Sequence, residues 1–176
     1  MPETNLDYAF TTGGEYELRW AIELYGQPLL RYCHNILCDY FDAQDVVQIT
    51  FIKAYNNRKS FQSGTSLSAW LYRIAYTTCI DFLRKKKTLF FMPAAQTNRD
   101  SGFISHDLKA ALLALSPEDR ALVFSRVIDE KSYADLEAIY HVSAATLRKR
   151  YERAKTKLSK LLIETNPYYS RLEETK

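Results

Sequence analysis

The chain has 176 residues, 47% of them hydrophobic and 26% charged, enough to bury one mid-sized core or two small ones. Five glycines and five prolines are few for the turns of a β-rich fold, so an all-α protein is expected. The net charge of +3 is unevenly spread: residues 1–55 carry three Lys and Arg against eight Asp and Glu, residues 56–107 eight against three, and residues 108–176 thirteen against ten. The acidic front suits a basic protein partner and the basic remainder suits phosphates.

Three cysteines without framework spacing point to a reducing cytosol rather than a secreted disulfide scaffold. Cys33, His34 and Cys38 do not make a metal site, because on a helix the two thiols diverge by about 140°. No metal or cofactor is therefore expected. No apolar run approaches the ~20 residues of a membrane span, and the acidic start lacks a signal-peptide n-region. The expectation is a cytoplasmic protein with no direct membrane insertion.

In chain order, residues 1–14 lack periodicity and read as a loose tail. A first helix from about Glu15 to Tyr25 is expected to break at Gly26-Gln27-Pro28. A second follows to about Asp39, with Leu29, Leu30, Cys33, Ile36, Leu37 and Tyr40 on one side. Asp42 reads as the cap of a third helix, with Val46, Val47, Phe51 and Ala54 apolar. After a polar loop from Ser60 to Thr65, Ser66 caps a fourth helix, Leu67 to Lys87. Residues 88–107 read as a linker rich in breakers. Its apolar start, Leu89 to Met92, either packs back or is covered by a partner.

The second half opens with a short helix, Leu108 to Leu115. Ser116-Pro117-Glu118-Asp119 then starts another, with Ser as cap, Pro in the first turn and acids at the positive dipole end. Ser132-Tyr133-Ala134-Asp135 opens a short helix to Tyr140, and Ser143 caps a long final helix to about Glu164. The last two form a helix-turn-helix pattern.

Two helices carry the functional signal. In Leu67 to Lys87, Leu71, Ile74, Ala75, Thr78, Cys79 and Phe82 project to a core stripe, while Arg73, Tyr76, Thr77, Arg84 and Lys87 cluster opposite. An aromatic among cations suits exposed bases, since rings stack on base faces and cations hold phosphates. A solvated face ending in cations that answer the helix dipole is the other reading. In the final helix Leu147, Tyr151, Ala154, Leu158, Leu161 and Leu162 project inward. Ala145, Lys149, Arg153 and Thr156 project outward, flanked by Thr146 and Arg148. Residues 144–160 hold seven cations against one acid, Glu152. The N-terminal half of such a helix fits the major groove, where small residues permit close approach. A membrane surface or a protein partner is the alternative.

In this order the segments resemble the extracytoplasmic-function branch of the sigma-70 family, bacterial RNA polymerase initiation factors. The run from Asp42 to Tyr55 resembles region 2.2. Ser66, Trp70 to Ala75 and Asp81 to Lys87 resemble regions 2.3 and 2.4. Leu115 to Arg120 resembles the opening of region 4, and Ser132-Tyr133, Val142-Ser143, Thr146-Leu147, Arg148, Arg150 and Arg153-Ala154 its helix-turn-helix. The chain departs from the pattern at Gln44, Ile49, Tyr76-Thr77 and Glu137. His141 stands where a turn glycine is usual.

The resemblance implies an all-α fold of two small helical domains: region 2 over residues 15–87 and region 4 over residues 108–163, with a tail at 164–176. It implies a non-catalytic initiation subunit that binds core RNA polymerase at its clamp and flap and directs transcription from particular promoters. Asp42, Asp45, Gln48 and Phe51 would meet polymerase. Trp70, Arg73, Tyr76, Thr77, Arg84, Lys85 and Lys87 would take the −10 element. Ser143, Ala145, Thr146, Arg148, Lys149 and Arg153 would take the −35 element. An anti-sigma factor is an expected partner and a small-molecule substrate is not. A helix-turn-helix regulator working without polymerase, or a degenerate sigma retaining only protein contacts, would fit parts of the same pattern.

Overall fold

The computed structural model describes residues 3–63, 65–89, 105–166 and 168–170, and these form helices with no strand. The first element corrects the expectation of a loose tail. Helix α1, Glu3–Ala9, is too short to register a period, yet Leu6 and the following Phe10 are fully buried. Phe10 meets Phe61 and Trp70 edge-on at 6.4 and 6.2 Å. Asp7 also accepts a hydrogen bond from the Leu67 backbone N–H at 3.0 Å. Two apolar side chains and a borrowed cap are what fix the segment.

A second correction concerns α2, which runs unbroken as Glu15–Leu37 through Pro28. An interior proline costs a helix ~3 kcal/mol. Here Ala21, Tyr25, Leu29, Tyr32, Cys33 and Ile36 continue one buried stripe across it. Burying side chains of this size is worth ~1.5–3 kcal/mol each, so packing overrides the local breaker. Helix α3 spans Tyr40–Asn56, and its cap is Asp39, not Asp42: Asp39 accepts from the Asp42 N–H at 3.0 Å. Asp42 instead pairs with Lys86 at 2.6 Å. A 3-10 turn at Arg58–Ser60 leads to α4, Leu67–Leu89. There Ser66 accepts from the Ala69 N–H at 3.1 Å, as a cap should. Residues 90–92 of the apolar run lie outside the described residues.

Helix α5 is His106–Leu113, capped by Ser105. The three capping signatures of the second half start α6 (Pro117–Val127), α7 (Tyr133–Tyr140) and α8 (Ala144–Thr165) at Ser116, Ser132 and Ser143. At α7 the exchange is reciprocal: Ser132 Oγ accepts from the Asp135 N–H at 3.1 Å and Asp135 accepts from the Ser132 N–H at 2.8 Å. The Ser132 hydroxyl, 2.6 Å from the same carboxylate, and then that backbone bond hold the Asp135 carboxyl below its usual range. Buried Arg120 donates to the carbonyls of Leu112 and Leu115, both at 3.3 Å, and so ties off the end of α5.

Helices α2, α3 and α4 pack on one another as the first domain, while α8 packs on α5, α6 and α7 in the second. The two cores then join. Helix α6 lies on α2 and α7 lies on α4, so the buried set runs from Leu29, Tyr32 and Ala75 into Leu122, Phe124, Leu136 and Ile139. No described helix is long and apolar enough to cross a membrane.

Candidate nucleic-acid interface

Helix α8 presents its basic face openly. Leu147 and Ala154 are buried against the domain, with Tyr151 and Leu158 beside them. The opposite residues, Ser143, Ala145, Thr146, Arg148, Lys149 and Arg153, are all exposed. Ser143 Oγ accepts from the Thr146 N–H at 3.4 Å, and the first-turn amides around it form an anion-seeking end. Arg148 stays extended over the Tyr133 ring at 5.0 Å. Arg150, which shares the resemblance but not the outward face, donates to Asp119 at 2.6 Å and lies 4.0 Å from Glu118. Those contacts raise its pKa despite burial, and it fastens α8 to α6.

The turn before α8 keeps its geometry without glycine. His141 sits in the left-handed region at φ 54, ψ 39, and its N–H donates to the Glu137 carbonyl at 2.9 Å. A side chain in that region costs ~1–2 kcal/mol. His141 in place of the usual turn glycine is thus taken up as local strain.

The cation-bearing face of α4 is arranged differently. Arg73, Thr77, Arg84, Lys85 and Lys87 are exposed, and Tyr76 is half-buried. Thr77 Oγ1 donates back to its own helix, at 3.1 Å to the Arg73 carbonyl and 3.0 Å to that of Ile74. Tyr76 meets the ring of Tyr140 from α7, centroids 4.7 Å apart. Arg73 touches His141. Trp70 turns to the other side, into the cluster with Phe10 and Phe61.

A third surface lies between α2 and α3. Leu18, Ile22, Leu30, Val47, Phe51 and Ile52 line a groove of about 670 Å³ with Gln48 at its edge. Asp45 and Gln48 are exposed on α3, while Phe51 is buried and forms part of the groove wall. Asp42, held by Lys86, does not line it.

Two features were missed at the sequence level. Arg120 stands beside an apolar run with no hint that its charge is buried. Tyr32 and Tyr140 share a hydrogen bond at 2.9 Å from positions 108 residues apart, and Tyr140 meets Ser125 at 3.1 Å. Burial pushes the Tyr32 and Tyr140 hydroxyls well up. Among the described residues no group of His, Cys, Asp and Glu could hold a metal ion. Cys33, Cys38 and Cys79 are all free and buried.

An exposed, capped, cation-rich second helix in a helix-turn-helix, docked on a second helical domain, defines a two-domain DNA-binding protein. Residues 21–88 match Sigma-70 region 2, and residues 105–158 match Sigma-70, region 4. The ECF RNA polymerase sigma factor SigW of Bacillus subtilis (strain 168) is 27% identical over 161 residues, 80% of this chain and 86% of that protein. The ECF RNA polymerase sigma factor EcfG of Rhodopseudomonas palustris (strain TIE-1) is 31% identical over 132 residues, 68% of this chain and 71% of its own length. The sigma factor RpoE of Bartonella quintana, solved in complex with the anti-sigma factor NepR, aligns with TM-score 0.67 and 26% identity, over 82% of this chain and 95% of that one. The chain belongs to the sigma-70 family, in its extracytoplasmic-function branch, and is an alternative RNA polymerase sigma factor.

Proposed function

We propose that α8 reads the −35 duplex, with Lys149 reaching base edges from a helix that Ala145 and Thr146 allow deep into the major groove. Arg148 and Arg153 hold flanking phosphates. The observation that carries this reading is the open face itself: the six outward residues are solvent-exposed while Arg150, one position from Lys149, is tied inward. The face of α4 takes the −10 element, with Tyr76 stacking on an unpaired base and Arg73, Thr77, Arg84, Lys85 and Lys87 along its backbone. Trp70 acts there only indirectly, by bracing the start of α4.

Core polymerase docks on α3 and the groove beside it. Gln48 and Asp45 give polar contacts and the apolar wall, including Phe51, gives area. Asp42 contributes by anchoring α3 to α4 through Lys86. Region 2 then occupies residues 15–87, with α1 as its brace, and region 4 residues 108–163. The chain works in the cytoplasm and catalyses no covalent step of its own. A solved relative is bound by an anti-sigma factor, and we extend a partner of that class to this chain.

Run-off transcription with purified core polymerase on a library of random upstream sequences tests the reading. Recovered start sites should share two spaced elements, and Lys149→Ala should relax preference at one position of the upstream element. A chain that binds polymerase but yields no initiated transcript would be a degenerate sigma instead.

A further inference from the structure

Residues 7–13, ahead of α2, direct their polar and aromatic ties to one place. Asp7 accepts from the Leu67 N–H at 3.0 Å, and the Tyr8 carbonyl accepts from Ser63 Oγ at 3.1 Å. Thr11 Oγ1 donates to the Phe61 carbonyl at 3.3 Å, and the Gly13 carbonyl accepts from Arg58 Nε at 3.0 Å. Between these bonds the Phe10 ring meets Phe61 and Trp70, which themselves lie 5.2 Å apart. All of these partners belong to the connection from α3 to α4 or to the first turn of α4.

That connection faces solvent: Gln62, Ser63, Thr65 and Ser66 are all exposed. An exposed polar connection opens locally with ease unless something outside it holds its backbone. The N-terminal segment holds it at both ends, through Arg58 and through Leu67. The start of α4 has two orphan donors met by side chains outside the helix: Ser66 takes the Ala69 N–H, and Asp7, 60 residues earlier, takes that of Leu67. Arg73 follows Leu67 by about 9 Å of helix rise, so the course of α4 at its first turn sets where the face bearing Arg73, Tyr76 and Thr77 begins.

We propose that residues 7–13 act in promoter opening as a positioning strap, with Asp7 and Thr11 as positioning residues. They hold the α3–α4 connection and the first turn of α4 in the conformation that receives the separated DNA strand. The inference rests on the −10 assignment made above. A strand-binding face that is already ordered loses less freedom on binding than one whose edge must be ordered in the complex. The bonded partners Arg58, Phe61, Ser63 and Leu67 are not among the residues assigned to polymerase or to the −35 element. Loosening the strap should therefore separate opening from the binding steps that precede it.

The test uses the full chain with core polymerase, on a promoter recovered by the run-off selection. Asp7→Ala with Thr11→Val removes two side-chain bonds and leaves Phe10 in the core. Asp7→Asn keeps an acceptor oxygen for the Leu67 N–H and serves as the rescuing variant. Urea denaturation identifies any variant that unfolds, and Asp7→Ala alone then carries the test. Hydrogen exchange at the Leu67 amide and through residues 58–63 should quicken about fivefold or more in the double variant, the effect of losing a cap of ordinary strength, and stay near the parent rate in Asp7→Asn. Permanganate-reactive bubbles should form slower by a similar factor with the double variant, while affinity for core polymerase and for −35 duplex is unchanged, and Asp7→Asn should restore opening. Faster exchange with opening at the parent rate overturns the proposal, because the strap would then serve stability alone. So does unchanged exchange, or an equal loss of core affinity and opening. Tyr76→Ala tests the −10 assignment separately. If that variant opens the promoter like the parent while the double variant does not, the strap stands and the strand contact lies elsewhere.

Discussion

Helices α4 and α8 are written in similar chemistry and end in different situations. Both are long, both bury one stripe, and both turn cations outward. Yet the outward face of α8 meets solvent along its whole first half, whereas that of α4, exposed elsewhere, is roofed at Tyr76 by Tyr140 and touched at the exposed Arg73 by His141. A helical projection finds which residues share a face. It says nothing about what lies over that face, because the covering element comes from a distant part of the chain.

The largest expected effect separates the two helices directly. Replacing Arg148, Lys149 and Arg153 together by Ala should cost roughly 1–3 kcal/mol for the base reader and more for the phosphate contacts, a loss of at least about 100-fold in affinity for a −35 duplex. Replacing Arg73 and Tyr76 should leave duplex binding by the free chain nearly unchanged. Equal losses in a fluorescence titration would break the contrast. Next in size, Phe10→Ala should lower stability by about 3 kcal/mol, because the ring is buried between Phe61 and Trp70. Urea denaturation measures it, and a change below about 1 kcal/mol would return the N-terminal segment to a tail.

Weakening the roof itself gives a smaller effect. Asp135→Ala removes half of the reciprocal cap on α7 and should cost about 0.3–1 kcal/mol at neutral pH. The Asp135 pKa is depressed in the folded chain, so its contribution is present above the ordinary carboxylate value and disappears as pH falls through the folded value. Parent and variant melts should therefore converge in acid, and a pH-independent gap would point to packing instead. Least of all, His141→Gly should change stability by no more than about 0.5 kcal/mol. Relief of left-handed strain is offset by the added freedom of the unfolded chain, and a loss of several times that size would assign His141 a structural bond.

Much of the fold was legible where the signals are local. Ser66, Ser116, Ser132 and Ser143 cap the helices they were expected to cap, because a cap acts within one turn. The local signals misled where tertiary packing outweighed them. Pro28 should stop a helix and does not, since the buried stripe from Ala21 to Ile36 spans it. Asp42 has the spacing of a cap, but Asp39 occupies that role and Lys86 takes the Asp42 carboxylate. Of the candidate site, the exposure of the α8 face was readable because it is a single helix in water. On α4 the shared face of Arg73, Tyr76 and Thr77 was readable, but not the turn of Trp70 to the other side or the helix that lies over Tyr76. Tyr76 and His141, two positions where the chain departs from the sigma-70 pattern, both lie at the interdomain seam. No periodicity could have brought them together.

The Asp42–Lys86 pair has a consequence for how DNA binding responds to ionic strength. The run from Arg84 to Lys87 offers four cations by count, but Lys86 already faces a carboxylate at 2.6 Å, whereas the Arg84 contact with Asp81 is longer, at 3.4 Å, and more exposed. A cation neutralised within the protein displaces no counterion from a phosphate. Each true phosphate contact on a single strand contributes about 0.7 to the slope of log affinity against log salt. Lys86 therefore adds nothing to this run's share of the slope, which is bounded near 2. Freeing Lys86 by Asp42→Asn would raise that bound by one contact's worth, so the salt dependence of the proposed DNA contact would be set in part by a residue on α3, the helix proposed to meet polymerase.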